Sequence, residues 1–109
     1  MSSTSDTPVL DLLATMTSES VAASSLEGRD LMLVRIAALV AVDAPPSSYL
    51  LNAGAASDAG IDVEQARGIL AAIAPIVGTA RIAAATGNIV RALGIALEVA
   101  EDEGTEDEA

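Results

Sequence analysis

Between residues 43 and 52 the chain reads DAPPSSYLLN, a run of chemically capable side chains set between long apolar stretches. Asp43 is a carboxylate that burial would convert into a general base, by raising its pKa. Tyr49 and Asn52 supply hydrogen-bonding groups for a small polar ligand. Ser47 and Ser48 add hydroxyls, whose plainer role is to satisfy backbone groups around the paired prolines. Arg81, in the segment APIVGTAR, is one of only five basic residues and has the fork geometry that pairs with a carboxylate.

The missing residue types narrow the chemistry as firmly as those present. There is no cysteine in the chain, so disulfides, thiolate catalysis and cysteine-ligated metals are excluded. There is no histidine either, which removes the usual base near neutral pH and the commonest metal ligand. No metal site and no cofactor is expected. Formal net charge is −11, yet seven of the sixteen acids lie in residues 98–109, and the basic side is arginine alone. Nothing here forms the basic patch that phosphate neutralisation requires, so a nucleic-acid partner is discarded.

A chain of 109 residues makes one small domain, which buries a limited share of its surface when it stands alone. Apolar residues are 51% of the total, but Phe and Trp are absent and alanine supplies 23 positions. Many small side chains favour closely approaching helices over a few large anchors. The surplus has two outlets, membrane or self-association. The uninterrupted candidates, residues 68–80 and 44–57, run to thirteen and fourteen residues, short of the roughly 20 a transmembrane helix needs. Subunit contacts are the better outlet, so the expected partner is the chain itself. MSSTSDTP lacks a basic start and a continuous apolar region, and a cytoplasmic location is the expectation.

The elements that would position these groups read as helices throughout. Thr7-Pro8 resembles a capped start, with one helix over about 8–16 and a weaker piece near 20–25. The segment LMLVRIAALVAV after Asp30 is apolar on every side, which predicts a helix buried all round, closed by Asp43 and Pro45-Pro46. A helix over about 46–59 ends at Gly60. Asp62 and Gln65 match a capping pattern for the next, interrupted at Pro75 and Gly78, and a last helix runs over about 79–101, with Ile82, Ile89 and Ala96 in heptad spacing. No strand-like alternation is present, so the fold class is all-α. The expected organisation is a mobile N-terminus over residues 1–6, one helical domain over 7–101, and an acidic, solvated, disordered tail over 102–109.

From Arg29 onward the order of segments carries a resemblance. A glycine stop at AGID, an acid-capped helix, the Gly/Pro break APIVGTAR and an Ala-rich helix follow one another as in the carboxymuconolactone decarboxylase family, which includes the alkylhydroperoxidase D-like proteins. The likeness spans about residues 29–94. It implies an alkylhydroperoxidase D-like helical domain assembled as an intertwined homo-oligomer, a dimer, trimer or hexamer, with a small pocket near the subunit contacts. Peroxidase-type members carry a CxxC pair and a histidine four residues beyond the second cysteine. Counting back from Gly60 sets those positions at Pro45, Ser48 and Asn52, while counting forward from Arg35 sets them a few residues earlier. In either register this chain has no thiol to attack a peroxide and none to resolve the product, so thiol peroxidase activity is excluded. The lactone branch's proton-transfer histidine has no counterpart.

The resemblance places the candidate pocket among Asp43, Ser48, Tyr49, Asn52 and Arg81. One reading is a homo-oligomer that binds a small organic acid or lactone or serves structurally, Arg81 holding the anion while Tyr49 and Asn52 bond the remainder. The other is a cofactor-free enzyme on a lactone or related acid with Asp43 as base. The plainer role for each residue is structural: backbone satisfaction for Ser48 and Asn52, interface filling for Tyr49, an ion pair for Arg81.

Overall fold

The computed structural model describes residues 6–108, and side chains through Leu93. Five helices follow one another, α1 (Pro8–Ala23), α2 (Gly28–Ala41), α3 (Pro46–Asp58), α4 (Val63–Val77) and α5 (Thr79–Glu108), with no strand among the described residues. The all-α class expected from periodicity is the class observed.

Each boundary has a local cause. Pro8 opens α1 at a position where a missing N–H costs nothing. The Thr7 hydroxyl donates to the Asp11 carboxylate (3.3 Å), and no side-chain cap forms on a backbone amide there. The two pieces expected over 8–16 and 20–25 are a single helix. Thr15 and Thr17 turn their hydroxyls back onto the Asp11 and Leu13 carbonyls (3.0 and 2.9 Å), so the polar run TMTSES is absorbed into the helix.

Helix α2 ends in a Schellman motif. The Asp43 N–H reaches the Val40 carbonyl (3.1 Å) and the Ala44 N–H reaches that of Leu39 (3.0 Å), which needs a left-handed residue between them. That residue is Asp43, at φ 57°, the one non-glycine with positive φ among the described residues. Helix α3 ends the same way, with Gly60 at φ 79° and bonds from the Gly60 and Ile61 amides to Ser57 and Ala56. The Asp62 carboxylate then caps α4 by accepting from the Gln65 N–H (2.9 Å). With its amide turned so that nitrogen faces an acceptor, Gln65 donates to the Gly60 carbonyl (3.0 Å) and accepts from Arg29 Nη2 (2.7 Å), tying the start of α2 to the α3–α4 turn.

Of the two expected breaks near residue 75, only one breaks the helix. Pro75 lies inside the last turn of α4, where it removes one hydrogen bond without ending the element. Gly78, at φ 88° and ψ 164°, occupies a region open essentially to glycine alone, and there the chain turns into α5. Helix α5 runs on to Glu108, past the end expected near Glu101. Propagating an established helix fixes one residue per added bond, and glutamate is a good helix former. Of the expected mobile N-terminus, residues 1–5 lie outside the described residues, as do the side chains of Ala96 and the acidic tail.

Val40, Ala44 and Tyr49 pack with Ala85 and Ala92 of α5 at the centre of the core, and Leu39, Leu50, Leu70, Ile73, Val77, Ile82 and Ile89 surround them. Alanines at 85 and 92 let α5 approach α3 closely, and that pair forms the main packing contact. Helix α2 packs on α3, α4 and α5, but it is not buried all round as its sequence suggests. Met32, Ile36 and Val40 are interior while Val34 is 54% exposed, because the neighbouring helices leave part of the α2 surface uncovered. Helix α1 buries none of its residues. The radius of gyration, 15.9 Å, exceeds the ~13 Å of a compact domain of this length.

Candidate functional site

The turn from α2 into α3 is where the chemically capable residues meet. Asp43 holds the left-handed corner, and Pro45 and Pro46 follow as N-cap and first residue of α3. One turn into α3, Tyr49 points inward and is 8% exposed. Its hydroxyl is fully buried and makes no hydrogen bond. Burial, and secondarily the negative charge of Asp43, raise the pKa of this phenol above its ordinary value.

Two residues of α5 reach back to the same turn. Arg81 donates from Nη1 to the Ala41 carbonyl (2.6 Å), one of the last carbonyls of α2, which carry the negative end of the helix dipole. Asn88 donates from Nδ2 to the Ala44 carbonyl (3.2 Å) and accepts from Arg91 Nη1 (3.4 Å). These contacts fasten α5 to the α2–α3 corner at two points. Asn52 donates to the Ser48 carbonyl within α3 (2.9 Å), and the Ser48 N–H is bonded to the Pro45 carbonyl (3.0 Å).

Asp43, Tyr49 and Arg81 therefore converge on one corner, with Ser48 beside Tyr49, while the Asn52 amide is directed along its own helix. Asn88 is the participant that sequence reasoning missed. Its signal was a lone amide in the Ala- and Ile-rich run of α5, at the position three residues after buried Ala85.

Two depressions of the surface lie elsewhere. One, of about 750 Å³, is a groove between α2 and α4 with Leu33, Val34, Ala37, Ile69, Ala72 and Ile73 along it and Arg29 and Asp62 at its polar end. The other, about 360 Å³, lies where Thr17 and Val21 of α1 face Met32 and Arg35 of α2 and Ala55 of α3. None of Asp43, Ser48, Tyr49, Asn52 and Arg81 lines either one. Among the described residues no group of acids is placed to hold a metal ion, and no helix is long and apolar enough to cross a membrane.

No protein-family model matches this chain, no curated protein matches it, and no solved structure matches it.

Proposed function

We propose that the chain is a carboxymuconolactone decarboxylase-family protein of alkylhydroperoxidase D-like fold that has no thiol peroxidase chemistry and works as a homo-oligomer, binding a small molecule or serving as a structural subunit. The observation that carries the reading is the apolar surface a single chain leaves uncovered. Helix α1 buries nothing, and Val9, Leu12, Val34, Leu51 and Ile76 are each more than half exposed. Large apolar side chains left exposed on α1, α2, α3 and α4 give a partner surface to cover, and symmetric self-association is the commonest way to cover it.

The polar groups of the corner support a holding role. Arg81 and Asn88 bond backbone carbonyls of the α2–α3 turn, and Asn52 bonds that of Ser48. With no cysteine or histidine in the chain, no thiolate or imidazole step is open to it.

Native mass spectrometry of the purified chain tests the proposal. The expected result is a multiple of the 10.9 kDa subunit, with no hydroperoxide consumed in a parallel assay. A subunit mass alone across micromolar concentrations, or robust peroxide turnover, overturns it. A retained small molecule in the spectrum assigns the binding role, and its absence in every assembled species assigns the structural one.

A further inference from the structure

The two halves of helix α1 have different surroundings. Thr17 and Val21 face α2 and α3, and the Arg35 guanidinium donates to Ser20 (3.1 Å), so the C-terminal end of α1 is held on the body. Val9, Leu12, Leu13 and Met16 fall at i, i+3, i+4 and i+7, one stripe of a helix, and are 47–68% exposed. Spacing of this kind is how a helix seats itself in an apolar groove.

The groove between α2 and α4 has the matching form. Leu33 and Val34 rise from α2 and Ile69 and Ile73 from α4, with the small residues Ala37, Gly68 and Ala72 between them. Small residues allow a third helix to approach closely. The chain's own α1 is fastened on the other side of α2, beside Met32 and Arg35. At 3.6 residues per turn, Arg35 and Ala37 lie on nearly opposite faces, so an α1 held beside Arg35 leaves its own groove open.

We infer that the exposed stripe of α1 from one copy of this chain occupies the α2–α4 groove of a second copy, and that the exchange is reciprocal. The inference rests on the homo-oligomeric reading above and specifies its contact. Each of the four stripe residues presents roughly 100 Å² of side-chain surface at full exposure. About half of that is free on each, so two stripes and the matching area of two grooves together cover at most about 800 Å² of apolar surface. Apolar atoms are about two-thirds of a homodimer interface, which brings the total to roughly 1,200 Å², the lower end of the range for a specific, stable contact. A two-fold axis makes each copy both donor and acceptor.

A chain without cysteine lends itself to directed crosslinking. Met16→Cys places a thiol on the stripe and Ala72→Cys places one in the groove, both at exposed positions. After mixing the two full-length variants and oxidising with diamide, the expected product is a mixed disulfide dimer that dominates over either like pair, with helicity by circular dichroism unchanged. In the otherwise native chain, Leu12→Glu with Leu13→Glu is expected to reduce the light-scattering mass to that of one subunit at unchanged helicity. If the native chain is oligomeric yet the mixed disulfide does not exceed the like pairs, or the double variant keeps its mass, the α1 seat is wrong while the homo-oligomeric reading survives. A native chain that scatters as one subunit removes both.

Discussion

Tyr49 is the only tyrosine in a chain that has no lysine, cysteine, histidine or tryptophan. Because arginine keeps its proton above pH ~12, Tyr49 is the single side chain titrating in the alkaline range, and phenolate absorbance reports it alone. Its pKa in the folded chain is raised, first by burial and second by Asp43. The unfolded chain releases the phenol proton near pH ~10, while the folded chain holds it to higher pH. This group's contribution to stability is therefore complete below pH ~10 and is lost as pH climbs toward the folded midpoint, at about 1.4 kcal/mol per pH unit within that window. The assay is an absorbance titration of the native chain beside one in concentrated urea, with urea unfolding at pH 8, 10 and 11 at one fixed protein concentration. Tyr49→Phe is expected to abolish the alkaline decline. An unpartnered buried hydroxyl carries a desolvation cost of ~1–3 kcal/mol, so the Phe variant is expected to equal or exceed the native stability at pH 8, by up to about 1 kcal/mol or roughly 5 °C in Tm. A folded midpoint at or below the unfolded one, or a loss of more than ~1 kcal/mol in Tyr49→Phe, would refute the reasoning, since either result requires a partner on the hydroxyl.

Three further outcomes follow from the geometry. Asp43→Asn keeps a residue that tolerates a left-handed conformation while removing one of the two causes of the phenol shift, so the Tyr49 midpoint should fall but stay above that in urea. Gly78→Ala meets no neighbouring atom within 4 Å, yet its backbone conformation is strained for any other residue; a loss of about 1–3 kcal/mol is expected in urea unfolding, and unchanged stability would show that the α4–α5 junction differs. Asp62→Ala removes the carboxylate that accepts from Gln65 N–H and should cost about 1 kcal/mol, with Asp62→Asn retaining most of it.

Much of the helical plan was open to reading because its punctuation is local. Gly60 and Asp62 act at the residues where their types suggest, through a left-handed stop and a side-chain cap. Asp43 was recognisable as an end but not as the left-handed residue itself, since Gly or Asn is the usual occupant and the neighbouring prolines explain a stop equally well. The merging of α1 into one helix depended on threonine hydroxyls folding back onto carbonyls, a choice that composition does not decide. Asp43, Tyr49 and Arg81 lie at one corner, outside both depressions, and the Arg81 partner is a carbonyl forty positions away, while Asn88 works across a similar separation. Contacts of that range arise from how helices stack, which no spacing within one helix encodes.

The interior described above is slight: among the described residues only eight hydrophobic ones are buried, and three of these are alanine. Melting a lone subunit uncovers little oily area, so its heat-capacity increment is small and its urea dependence shallow. If copies assemble as proposed, the steepness of a denaturation curve becomes a gauge of how much shelter they lend one another, and diluting the sample should flatten it.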